Sequence, residues 1–396
     1  MPQDSRFARK LAARVICGAV LAAPLAPAIA GDMPDVKITW GGYAKLDVLS
    51  SHFSDAAVLQ TNGRDFYVPN SIAVVAPPGT ETSHTYLDFH AKETRLFLKA
   101  DSVVEGHKVA GYVEMDFIVN PGAANEAVTN AYNPGLRRAY LTIDNWLLGQ
   151  DWSTFQNVGA LPEGLDFIGP TEGTVFVRQP QIRYTLNGLQ VALENPETTV
   201  AANAGATFVN ADDNSVPDLI VRYNLKAEGA GDYTFAAVAR QLAAHGGAAG
   251  EHGTTAGYGA TVSGKVPVMA HDDVRFMLSG GSGVGRYLAI NTVGDAVVDA
   301  SGELERLKIV NGFVAYHHAW NEQWRSNLAL SAFKASADTN LGGGATKRVE
   351  SVSTNLLYSP VPKITVGAEL RFAKRTTMAD NDGSLSRLQF SAKYSF

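Results

Sequence analysis

The segment Arg387–Phe396, R-L-Q-F-S-A-K-Y-S-F, narrows the possible folds more than any other stretch of the chain. Leu388, Phe390, Ala392, Tyr394 and Phe396 share one parity, and Arg387, Gln389, Ser391, Lys393 and Ser395 share the other. A period of two, with one wholly apolar and one wholly polar face, is a β-strand lying between two different media. A strand of a soluble sandwich alternates in the same way. The remaining sequence has to say what the two media are.

The first residues hold Arg6, Arg9, Lys10 and Arg14, then an apolar run from Val15 to Ala30 that ends in Ala28-Ile29-Ala30. This is the layout of a cleaved export signal over residues 1–30, with the mature chain running from 31 to 396 as one domain. Cys17 is the only cysteine, and Ile16 before it does not suit a lipid-anchoring motif. The mature chain is then expected to be cysteine-free, which excludes a disulfide scaffold. Loss of residues 1–30 takes the formal charge from −6 to −9, so nucleic acid is not an expected partner. No other segment nears the ~20 apolar residues of a membrane-crossing helix.

From Gly31 onward, alternating segments of about ten residues are separated in turn by long polar loops and tight turns, the layout of a transmembrane β-barrel. Strands are expected near 37–49, 85–101, 108–118, 135–144, 146–152, 174–186, 189–195, 216–225, 232–242, 255–265, 273–284, 305–317, 323–333, 348–359, 362–373 and 385–396. The parity switch near Glu93 reads as a bulge. Asn187-Gly188 reads as a two-residue hairpin turn. Trp320, Trp324, Tyr358 and Tyr394 near strand ends fit an interfacial aromatic girdle. A last strand that closes on an aromatic is also the form taken by bacterial outer-membrane barrels, and Tyr394 and Phe396 are read as the assembly signal. The expected fold is all-β: an antiparallel transmembrane barrel of about 16 strands, placed in the bacterial outer membrane.

After the fifth strand, Leu148-Gly149-Gln150-Asp151-Trp152-Ser153-Thr154-Phe155 leads into an irregular stretch to Gly173. It falls in the third long loop and carries Glu163, Asp166 and Glu172, with Pro162, Gly169 and Pro170 suited to a fixed irregular path. We expect it to fold inward and narrow the lumen. Arg138-Ala139-Tyr140, Gly149 to Phe155, Asp166-Phe167-Ile168-Gly169-Pro170, Arg178-Gln179-Pro180-Gln181-Ile182-Arg183-Tyr184 and Val216-Pro217-Asp218 to Arg222 resemble the DcaP-like family of trimeric outer-membrane porins. The resemblance is strongest from Arg95 to Arg222 and weak in the loops after Leu242. It implies a sixteen-stranded homotrimer that admits small anionic organic acids, such as dicarboxylates, through an arginine-lined constriction. Some members carry a helical extension before the first strand, and Gly31 to Val36 leave no room for one.

Taking the apolar parity as lipid-facing, the inner rows hold Arg95, Arg138, Arg178, Arg183, Arg222, Arg240, Arg275, Arg325, Arg371 and Arg387. Asp47, Asp88, Glu114, Asp116, Asp144, Glu194, Asp218 and Glu369 fall on the same side. Arginines on one wall facing loop carboxylates would set up a transverse field, and Arg rings favour anions. Arg95, Arg138, Arg178, Arg183, Arg222 and Arg240, with Glu163 and Asp166 from the loop, are therefore the candidate solute-binding and constriction residues. Each arginine would equally serve as a lumenal ion pair that stiffens the wall.

The alternatives are a non-selective diffusion porin, a surface-binding protein acting through its loops, or a barrel enzyme such as a protease or phospholipase. The nine histidines stand in no nucleophile or zinc motif, although His84, Asp88 and His90 share one face. No catalytic residue, cofactor or metal is expected. The expected partners are outer-membrane lipids and lipopolysaccharide, the barrel-assembly machinery, small anionic solutes and further copies of the chain.

Overall fold

The computed structural model describes residues 35–58, 62–74, 82–119, 128–246, 252–336 and 340–396, so the expected export signal lies outside the described residues. The main sheet contains seventeen strand segments, two of which continue one strand, giving a sixteen-stranded barrel. The strands are β1 (Lys37–Phe53), β2 (His84–His90 continued by Arg95–Val104), β3 (His107–Asp116), β4 (Gly135–Ile143), β5 (Trp146–Trp152), β6 (Arg178–Leu186), β7 (Leu189–Glu194) and β8 (Asp218–Ala227). They continue with β9 (Gly231–His245), β10 (His252–Pro267), β11 (Asp273–Ser282), β12 (Lys308–Ala319), β13 (Trp324–Ala335), β14 (Thr346–Val361), β15 (Ile364–Thr377) and β16 (Asp382–Ser395).

Each strand pairs antiparallel with its neighbour in sequence, and β16 pairs with β1 from Leu385↔Phe53 to Ser395↔Tyr43, which closes the sheet. Phe396 extends the seam: its backbone N–H donates to Gly42 O at 3.1 Å, and its ring lies 6.0 Å from Trp40. The gap in β2 falls at residues 91–94, where the parity switch marks the break. Leu87 and Phe89 point outward before it, Leu96 and Leu98 after it.

Burial is inverted relative to a soluble protein. Leu87, Phe89, Leu98, Phe235, Leu278, Leu330, Phe372 and Phe390 are exposed on the outer wall, whereas Asp47, Asp116, Asn311, Arg371 and Arg387 are buried inside. Hydrocarbon outside and water or polar side chains inside is the arrangement that stabilises this pattern. Among the described residues, no helix is long and apolar enough to cross a membrane.

Tight turns close one end, as at Asn187-Gly188, where both residues take positive φ. Long loops lie at the other end: L3 (153–177), L4 (195–217), L6 (283–307) and the described parts of L1 (between β1 and β2) and L2 (between β3 and β4) are the main ones. Two expected strands begin later than the alternation suggests. Residues 174–177 belong to L3 rather than β6. Leu304–Arg306 belong not to β12 but to a four-stranded sheet with Thr199–Ala201, Phe208–Asn210 and Ala296–Val298, which ties L4 to L6. At the turn end, Trp324 stacks on Tyr358 at 4.5 Å and His318 meets Trp320 edge-on at 4.3 Å, in keeping with the girdle expected there.

Candidate functional site

L3 enters the lumen and crosses to the far wall. Arg222 of β8 donates to Gln156 O at 2.6 Å, Asn157 donates to Thr234 and Ser263 on β9 and β10, and Arg275 of β11 donates to Leu161 O at 2.7 Å. Glu163 then takes a two-pronged hydrogen bond from Arg325 on β13, at 2.5 and 2.6 Å. Leu165 is fixed through its backbone: its N–H donates to Glu369 on β15 at 2.8 Å, and its carbonyl accepts from Lys45 on β1 and Gln389 on β16. The returning limb presses on β12, where a Cβ on Gly173 would lie 2.4 Å from Gly312 O, so only glycine permits the approach.

Asp166 organises the loop from the edge of a lumenal cavity. It is buried and accepts the backbone N–H groups of Tyr67, Ile168 and Gly169 at 2.7 to 3.2 Å, joining L1 to L3. Gly169 at φ +93° makes the turn beneath it. Glu163 and Asp166, expected as the negative side of a transverse field, are thus occupied by Arg325 and by backbone donors.

The arginine wall is built on β2 to β6. Arg95 pairs with Asp116 at 2.7 Å, Arg138 with Asp151 at 2.6 Å, and Arg183 with the other oxygen of Asp151 at 3.0 Å. Arg137, absent from the sequence-based set, joins them. Its neighbours pair as Glu114↔Arg138 and Met115↔Leu136, so Arg137 is the extra residue of a bulge and turns inward, 2.5 Å from Asp116. Arg178 differs from the rest. Its guanidinium lies 3.5 Å from the Trp152 ring centroid and 5.2 Å from that of Phe176. Among the described residues it has no hydrogen-bonding or ion-pair partner, and its Nε is buried unsatisfied. Five arginines (95, 137, 138, 178 and 183) therefore share three carboxylates (Glu114, Asp116 and Asp151), a local excess of two positive charges. Among the described residues, Arg222 is a second guanidinium without a carboxylate, held by Gln156 O and Asn224, and it raises the excess to three.

Above this wall is a cavity of about 530 Å³, lined by Arg137, Arg178, Phe66, Phe167, Phe176 and, from L6, Arg286. Among the described residues, no carboxylate lines it. On the other side of Phe167, a cavity of about 170 Å³ carries mixed charge from Lys45, Lys393, Glu93, Glu163 and Asp166. Arg286 carries no sequence signal, because it stands in an irregular loop where no periodicity reports direction.

Arg240, expected at the constriction, is sealed away from it. Its side chain has no exposed surface and pairs with Asp218 at 3.3 Å and Asp295 at 2.8 Å beneath L4 and L6. The parity reading was right, but loops cover the position. Arg371 and Arg387 are likewise buried, against Glu369 and Tyr67 and against Ser51 and Gly63. Asp88 pairs with Arg64, and His90 bonds to Asp65 O, so these members of the shared histidine face have protein partners.

A sixteen-stranded antiparallel barrel with an apolar outer wall, a polar interior and its third loop folded inward defines the porin class of outer-membrane channel. Within that class, residues 69–396 match the family model described as DcaP outer membrane protein, and the chain belongs to that family. No curated protein sequence matches it. Among solved structures, it is similar to the outer membrane channel DcaP of Acinetobacter baumannii, with 25% identity and a TM-score of 0.74 over 91% of this chain and 97% of that one. An anion-selective porin from Comamonas acidovorans aligns at 13% identity and a TM-score of 0.53, covering 91% of this chain and all of that one. OmpF of Salmonella typhi, in complex with daunomycin, aligns at 11% identity and a TM-score of 0.55 over 93% and 99%. The last two likenesses concern the fold.

Proposed function

We propose that this porin-family barrel is a passive channel that favours anions and admits small organic acids of the dicarboxylate type. The observation that carries the reading is Arg178: a guanidinium fixed by two aromatic rings and open to a cavity, with neither a lining carboxylate nor a partner of its own among the described residues. A bound carboxylate would take the forked donor geometry that remains unused there. Arg222 extends the positive track along the lumen, Arg137 and Arg286 line the cavity as guanidiniums paired with Asp116 and Asp218, and Phe66, Phe167 and Phe176 offer apolar surface to a carbon skeleton. In a narrow pore such fixed cations raise the local anion concentration. Homotrimeric assembly is part of the same proposal, following the resemblance of the lumenal motifs. Planar-bilayer recording of the purified protein tests the reading: it expects an anion-directed reversal potential in a salt gradient and block by succinate. A channel indifferent to ion sign would be a general diffusion porin.

A further inference from the structure

The outer wall is apolar over most of its circumference, but one sector at the long-loop end is basic. Lys308 of β12, Lys334 of β13, Arg348 of β14 and Lys374 of β15 all point outward there and are exposed. Arg306 joins them from L6, its guanidinium 5.7 Å from the outward ring of Tyr258 on β10. Among the described residues, the acids in this belt are Glu350 and Asp382, paired with Arg348 at 3.5 Å and Lys374 at 2.7 Å. Among the described residues, Lys308 and Lys334 have no acidic partner, so the sector is net positive.

Directly beneath the belt, the wall is grooved. Gly312 and Ala332 face each other across β12 and β13, with Leu278 beside Gly312, leaving a trough between Val310 and Lys334 above and Val314 and Leu330 below. Its volume is about 810 Å³, and Phe276, Lys334, Arg348 and Glu350 also line it. The depth of the belt is set by strand geometry. Lys334 is ten residues along β13 from the girdle residue Trp324. At ~3.3 Å per residue and a tilt of ~40°, that is ~25 Å along the membrane normal, the height of the apolar band of such barrels. The five cations therefore stand at the headgroup level of the leaflet on the long-loop side, with the trough just inside its hydrocarbon.

We infer that this sector is a binding site for a phosphorylated, multiply acylated lipid of the outer leaflet, the chemistry of lipopolysaccharide, with its phosphates on Lys308, Lys334 and Arg348 and an acyl chain in the Gly312–Ala332 trough. A second copy of the chain suits the sector less well. Copies in a membrane assembly share one depth, and among the described residues the outward positions at this end of β1 to β11 offer no carboxylate to meet the belt.

The test uses the folded protein in detergent and native mass spectrometry with a rough, bisphosphorylated lipopolysaccharide. The same lipid with its phosphates removed is the control. Wild-type protein should retain the phosphorylated form about tenfold more strongly, and K334Q/R348Q should lose most of that preference. A332W, which fills the trough, should weaken retention of both forms. Equal retention of the two lipids by the wild type would overturn the inference, and that comparison needs no variant to fold. Dissociation of an oligomer in K334Q/R348Q with lipid retention unchanged would also overturn it and assign the sector to a second copy.

Discussion

The guanidinium of Arg178 lies 3.5 Å from the centroid of the Trp152 ring, directly across the β5–β6 ladder. The ring holds the cation in place without neutralising it, whereas every other arginine of the β2–β6 wall shares a carboxylate. Positioned but uncompensated charge is what a transient anion site requires. A carboxylate at that position would fill the site permanently.

Replacing Arg178 by Ala should therefore weaken succinate block roughly tenfold, the worth of one charge-assisted pair in a wet site, and move the reversal potential towards cations. Arg178→Lys should recover the charge but neither the fork nor the stack, giving an intermediate block constant. Arg222→Ala should act in the same direction. Raising the salt concentration should weaken block in the wild type. Bilayer recordings that show indifference to both alanine variants would remove these two residues from the conduction path.

The loop latch between Glu163 and Arg325 makes a second prediction. Burial works against the charged form of Glu163, but the Arg325 guanidinium outweighs it and holds the carboxyl below its ordinary value. With a lowered pKa, the latch contributes fully above the ordinary carboxylate pKa of about 4.3, and is lost as pH falls through the lowered value. Single-channel conductance should thus be steady from neutral pH down to about 4.3 and become noisier below it. Glu163→Gln should show that noise already at neutral pH, and the swapped pair E163R/R325E should suppress it.

The strands were largely legible in the sequence, because a wall between lipid and water imposes a period of two on every crossing. Even the break in β2 was visible as a parity switch near Glu93. Direction within the lumen was less legible. Arg137 faces inward only because a bulge shifts its register, and neighbouring residues with opposite parity give no sign of that. Arg240 had the correct parity, yet L4 and L6 cover it, and the short strands that join those loops are too brief to alternate. The loop carboxylates were found by composition, but their partners, Arg325 for Glu163 and the amides of Tyr67, Ile168 and Gly169 for Asp166, depend on long-range closure that no local pattern encodes.

Arg240 should matter for stability rather than selectivity. Its removal leaves Asp218 and Asp295 buried with one charge too few, a loss of about 3–5 kcal/mol for a sealed ion-paired group. Arg240→Met should lower the temperature at which the folded band on unheated gels converts to the unfolded one. The reversal potential of channels that do assemble should stay at the wild-type value. A selectivity change without a stability change would place Arg240 back in the lumen.

Deletion of Phe396 should reduce folded barrel in the outer membrane while leaving synthesis intact. The residue supplies both backbone hydrogen bonds to Gly42 at the β1–β16 seam and packs its ring against Trp40 and Tyr394. Phe396→Ala keeps the hydrogen bonds and should assemble better than the deletion. Equal, normal assembly of both would separate the residue from barrel closure.

The most direct test of the central claim is the reversal potential of the reconstituted wild-type channel in a potassium chloride gradient, repeated with succinate present. The excess of guanidinium over carboxylate on the β2–β6 wall predicts a potential displaced towards the chloride equilibrium value, with succinate reducing the current. A potential displaced towards potassium, with current unaffected by succinate, would contradict it.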